Sequence, residues 1–199
     1  MNKYKYLPGD KKQLYTPIGV KELFQDAVNK ENGNIKKVLT LDKYKKIIEL
    51  WHASPLAVAI YNKTGDKFFL YPSENPDVHF IKMDKKQEQM EEGFSLEVMS
   101  LYNHNQTFDQ DYDKLTKNIW DKKGLNDYDR SELLLIARLN SNFNVDKFID
   151  NINKYQWKFL QIWLSAFSEK DKMWRLINVK PYPNETSYQL EVGLTDFPY

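Results

Sequence analysis

The chain has 199 residues, 29 Lys and Arg against 28 Asp and Glu, and no cysteine. That length is enough to bury a sizeable core without staples, and the lack of cysteine excludes thiol catalysis, thiolate metal sites and disulfide frameworks together. The first residues carry no apolar signal-like region and no apolar run approaches the roughly 18 residues of a membrane span, so a soluble cytoplasmic protein is expected.

The near-neutral total hides an uneven distribution. Residues 1–50 hold eleven Lys and six acids, whereas residues 87–113 hold no Lys or Arg and seven acids: Glu88, Glu91, Glu92, Glu97, Asp109, Asp111 and Asp113. Only Arg130, Arg138 and Arg175 are arginines, and bidentate reading of bases or phosphates favours Arg over Lys. A sequence-specific nucleic-acid reader is therefore disfavoured. The composition, rich in Lys, Asn, Ile, Tyr and Asp, suits an AT-rich bacterial or phage genome, and a phage or mobile-element accessory factor is the expected kind of protein.

In chain order, Thr16 as N-cap, Pro17 in the first turn and a stripe of Val20, Leu23, Phe24, Ala27 and Val28 predict a helix that ends at Asn32-Gly33. A short strand is expected over Ile35 to Leu39 and a second helix from Leu41 to His52 with a basic outer face. Leu56 to Tyr61 and Lys67 to Tyr71 then read as a hairpin around Asn62, Gly65 and Asp66, with a third strand over Val78 to Met83. From Asp84 to Tyr102 the stripe Met90, Phe94, Val98 and Leu101 predicts a helix that carries much of the acidic run outside. Another helix is expected from Tyr112 to Lys122, ending at Gly124. Asp129 and Glu132 resemble a capping box that opens a helix over SELLLIARL.

Residues 153–167, NKYQWKFLQIWLSAF, hold five aromatic side chains. Tyr155, Phe159, Trp163 and Phe167 project onto one face with Val145, Phe148, Ile149, Ile152, Ile162 and Ala166 at about 100° per residue, which predicts a central helix from Val145 to Phe167. Phe159 and Trp163 should be nearly inaccessible. Trp157 falls beside the polar strip and is expected to be partly exposed. MWRLINV and SYQLEVG close the chain as two strands. The expected fold is α+β in a single compact domain over residues 1–199, with a possible subdivision between residues 105 and 106. About six α-helices, an N-terminal-half β-meander and a C-terminal β-hairpin would surround the aromatic-rich helix.

The chemical motifs are sparse. Asp109, Asp111 and Asp113 occupy alternate positions of a calcium loop, but Lys114 stands where glycine is needed and Trp120 where a bidentate glutamate closes the shell. Asp77, Asp84 and Lys86 carry the residue types of a metal-dependent nuclease or hydrolase, in which carboxylates hold the cation and Lys stabilises charge. His52, His79 and His104 show no helical ligand spacing. No glycine-rich phosphate loop or nucleophile elbow occurs, and no cofactor or metal is expected.

These features favour a non-enzymatic, macromolecule-binding inhibitor or regulator. Its acidic surface would mimic nucleic acid and occupy a host protein, either a nucleic-acid-binding protein or a nucleoprotein. Glu88, Glu91, Glu92, Glu97, Asp109, Asp111, Asp113 and Trp157 are its candidate partner-binding residues, and no membrane association is expected. The alternatives are the Asp77, Asp84 and Lys86 hydrolase and a Lys-driven nucleic-acid-binding protein.

Overall fold

The computed structural model describes residues 14–74, 76–84, 89–101, 111–125, 133–138, 144–168, 171–181 and 189–197, with the backbone alone for 83, 84, 89–92, 133, 137 and 138. Seven strands form one sheet: β1 (Phe68–Pro72), β2 (Val78–Asp84), β3 (Gln89–Ser100), β4 (Leu133–Arg138), β5 (Gln161–Ser168), β6 (Met173–Lys180) and β7 (Gln189–Gly193). They lie side by side in chain order. β3, β4 and β5 run parallel, and every other neighbouring pair is antiparallel.

The helices are α1 (Pro17–Lys30), α2 (Ile35–Val38), α3 (Lys45–Thr64), α4 (Tyr112–Ile119) and α5 (Val145–Ile152). The mixed sheet curls into a half-barrel. α3 lies in its concave side, close enough to touch both edge strands, β1 and β7. Parallel neighbours require a crossover. α4 lies in the β3 to β4 connection and α5 in the β4 to β5 connection, and both pack on the other face, where Leu115, Ile119, Phe148 and Ile152 meet Met99, Leu134, Ile136, Ile162 and Leu164.

α1 forms as its sequence dictates. The Thr16 hydroxyl accepts a hydrogen bond from the Gly19 amide at 3.1 Å, and Val20, Phe24, Ala27 and Val28 are buried. Asn32 and Gly33, with φ of 55° and 80°, end it. Replacing Thr16 by Ala should cost about 1 kcal/mol, the usual value of an N-cap, in a denaturant titration.

The expected α+β arrangement of about six helices with an N-terminal-half meander and a C-terminal hairpin is corrected, among the described residues, to five helices and a single seven-stranded sheet. Five changes of element type make the difference. The strand expected over Leu56 to Tyr61 is the second half of α3, and the short strand over Ile35 to Leu39 is α2. Pro55 does not break α3. Proline lacks the amide that would reach the Trp51 carbonyl one turn back, and the Ser54 hydroxyl donates to that same carbonyl at 3.0 Å. The helix stops only at Gly65, which holds φ 74°.

Within the helix expected over Asp84 to Tyr102, the described residues are β2's last residue, β3 and Leu101. Gly93, awkward in a helix, is the extra residue of a β-bulge, since Phe80 pairs with Phe94 and Ile81 with Glu92. A side chain there would sit 2.4 Å from the Phe68 ring and 3.1 Å from the Phe80 carbonyl. SELLLIARL contains β4 rather than a helix, and its expected capping pair, Asp129 and Glu132, lies outside the described residues.

The central aromatic helix is also corrected. α5 ends at Ile152, turns through residues 153–160, and the chain resumes as β5. Its aromatic side chains still fill the core: Phe159 is 1 % exposed and Trp163 3 %. Trp157 is buried, not partly exposed. Its indole N–H donates to the Ile152 carbonyl at 2.8 Å and its ring meets Trp120 edge-on at 5.1 Å. α1, β1, β2, α4 and the paired β6 and β7 arise close to where the sequence places them.

Candidate functional site

The acidic run does not form a helical face. Glu91 and Glu92 lie on β3, where Glu91 pairs in register with Lys82, while Glu88 and Asp109 lie outside the described residues. Glu97, also on β3, is 3 % exposed, so it belongs to the interior rather than to an acidic surface. Its Oε2 accepts from the Lys123 ammonium at 2.6 Å, and the same ammonium lies 3.2 Å from Asp77 Oδ2. Asp77 Oδ2 further accepts the Val98 amide at 2.9 Å. Lys123 comes from the π-helical turn Trp120–Gly124 that continues α4. Burial, opposed by Lys123, raises the Glu97 carboxyl above its ordinary range. This cluster ties the β1–β2 turn, β3 and α4 together.

Asp77 and Asp84 stand at opposite ends of β2. Seven residues of strand separate them by about 23 Å at about 3.3 Å per residue, too far for one cation to bridge. Lys86 lies outside the described residues. Glu97 and Lys123 are the partners that Asp77 meets, and no sequence spacing signalled them.

His52 is 2 % exposed, and burial pulls its imidazole down to about 3, which keeps it neutral. His79 stacks at a tilt on Tyr71, 6.0 Å between ring centres. His104 lies outside the described residues. Among the described residues no three His, Asp or Glu side chains converge as a metal-ligating group.

The N-terminal lysines are partly spent inside the fold. Glu31, nearly buried, receives Lys37 at 2.5 Å, Lys43 at 2.6 Å and the Tyr44 hydroxyl at 2.9 Å. Hydrogen bonds from Lys37, then Lys43 and Tyr44, hold its carboxyl down to about 2. Lys45 and Lys46 share Glu49, at 3.7 and 3.1 Å. Four of the basic side chains that suggested a nucleic-acid surface are therefore paired to carboxylates.

Asp111 and Asp113 come to an open groove of about 400 Å³ between α4 and α5, lined also by Tyr112, Lys147, Asp150, Asn151 and Lys154. Local capping builds it. Asp111 Oδ1 caps α4 by accepting the Lys114 amide at 3.0 Å, and Asn144 caps α5 by accepting the Lys147 amide at 3.0 Å. The Tyr112 hydroxyl accepts the Asn144 amide at 2.7 Å, which fastens the start of one helix to the start of the other.

On the groove wall Lys154 bridges Asp113, at 2.5 Å, and Asn151, at 2.8 Å. Asp113 and Lys154 are exposed, with side chains 74 % and 56 % accessible. Three carboxylates, Asp111, Asp113 and Asp150, thus face two ammoniums, Lys147 and Lys154. No sequence spacing signals Lys147, Asp150, Asn151 and Lys154, because the apolar period of α5 runs on through Phe167 and hides its end at Ile152. No protein-family model, curated protein or solved structure matches the chain.

Proposed function

We propose that the protein acts by binding, and that the groove between α4 and α5 receives a Lys- or Arg-rich segment of a basic partner. A host protein that itself binds nucleic acid fits this chemistry. The supporting observation is the meeting of Asp111, Asp113 and Asp150 at one open groove. The hydrogen bond from the Asn144 amide to the Tyr112 hydroxyl tethers the two helix starts that frame it. An incoming guanidinium would take Asp113 from Lys154 and reach Asp150 beside it. Exposed ion pairs are worth about 0 to 1 kcal/mol, so this exchange costs little, whereas a bidentate Arg–carboxylate contact is among the stronger polar contacts.

The residues of the acidic run thus divide by role: Asp111 and Asp113 for the partner, Glu97 for the interior. Binding by charge complementarity acts strongly on the encounter rate and weakens with salt. In a fluorescence anisotropy titration with a labelled arginine-rich peptide, the Asp113→Lys/Asp150→Lys protein should bind roughly tenfold or more weakly than wild type at low salt. Thermal melts should stay close to wild type, because both residues are exposed. Equal affinities at every ionic strength would remove the groove as the binding surface.

A further inference from the structure

Glu49 lies on α3 with 6 % of its surface exposed, and its surroundings are crowded with charge. From its own helix come Lys46, 3.1 Å from Oε2, and Lys45, 3.7 Å from Oε1. Solvent does not reach Oε2, and despite the nearby ammonium that oxygen makes no hydrogen bond of sound geometry. His52, one turn further along α3, is neutral and adds no charge.

From the β1–β2 turn, residues 73–77, come Asp77, whose field acts on Glu49, and Glu74, largely in solvent. Lys46 spans this seam: besides Glu49 it donates to the Ser73 carbonyl and lies 3.9 Å from Glu74. Behind Asp77 stand Glu97 and Lys123. Three buried carboxylates therefore share two shielded ammoniums, Lys46 and Lys123, with side chains 33 % and 19 % accessible, while Lys45 is 66 % accessible. One proton would balance the buried layer.

We propose that the contact between α3 and the β1–β2 turn is a proton-operated latch, closed while Glu49 is protonated and loosened when it ionises against Asp77. Burial, then the field of Asp77, raises the Glu49 carboxyl to about 6, with Lys46 and Lys45 opposing. A carboxyl raised on folding stabilises the fold fully below its ordinary value of 4.5, and that contribution is lost as pH climbs through about 6. Glu31 works in the opposite sense, since its contribution is present above 4.5 and lost as pH falls toward about 2. Just above 4.5 both contributions are largely present.

The test compares wild type with Glu49→Gln, whose neutral amide imitates the protonated state. The two melting temperatures should agree near about pH 5, and the variant should rise above wild type by several degrees near about pH 7.5. Amide exchange of Ser73, Glu74, Asp77 and Val78, corrected for its intrinsic pH dependence, should quicken roughly tenfold over that interval in wild type and stay flat in the variant. A carboxyl-carbon NMR titration of wild type gives an independent reading, with a Glu49 midpoint near 6 expected. A midpoint near 4.5 would overturn the latch even if the variant did not fold. So would a melting difference that does not change with pH.

Discussion

Truncating Lys123 to Ala is expected to cost about 3 to 5 kcal/mol, because it leaves two interior carboxylates without their shared cation. The Lys123 ammonium lies 2.6 Å from Glu97 and 3.2 Å from Asp77, whose side chains are 4 % and 9 % accessible. Neither can turn outward easily, since Asp77 is fixed to the Val98 amide and Glu97 is set on β3. A urea titration at neutral pH measures the cost. A loss under about 1 kcal/mol at neutral pH, the usual size of a surface change, would show that water already compensates the pair.

Phe159→Ala should cost a comparable 3 to 5 kcal/mol, about the usual value for emptying a buried aromatic site. Phe159 is 1 % exposed and belongs to the cluster between the sheet and the α4–α5 layer, with Phe148, Ile162 and Trp157. Its backbone is held too, for its carbonyl accepts the Lys180 ammonium at 2.8 Å. The space cannot collapse readily, because α5 on one side and β5 and β6 on the other are fixed by their own pairings. Denaturant unfolding is the measurement, and a loss near zero would contradict the packing of this layer.

Burial was more legible in the sequence than element type. Phe159, Trp163, Leu134, Leu135 and Ile136 are recognisable as core from their apolar character alone, and all are buried. Whether such a run is strand or helix is another matter. A strand covered on both faces loses the alternation that identifies it and reads as a continuous apolar stretch. β4 and β5 are such strands: Leu135 and Trp163 pack toward α3, whereas Leu134, Ile136, Ile162 and Leu164 pack toward α4 and α5. In β5 the run happened to continue the period of α5, and only residues 153–160 separate the two.

β3 deceived for a further reason. Glu97 and Ser95 suggest a solvent-facing side, yet they are 3 % and 2 % exposed, and Lys123 from α4's continuation satisfies the glutamate. Such a partnership joins residues 26 positions apart, and nothing local announces it. Asp111 and Asp113 were legible as acids near a helix start. Their gathering with Asp150 and Lys154 depends on the crossover that lays α5 beside α4, and so on the parallel order of β3, β4 and β5.

The most direct test of binding at the α4–α5 face is to record backbone amide shifts of the isotopically labelled protein while adding an arginine-rich peptide at low salt. The proposal predicts saturable changes concentrated at Asp111, Tyr112, Asp113, Lys147, Asp150, Asn151 and Lys154, the residues that line the groove. They should be lost in the Asp113→Lys/Asp150→Lys protein. Saturable changes elsewhere with these residues unmoved, or no saturable change at all, would contradict it.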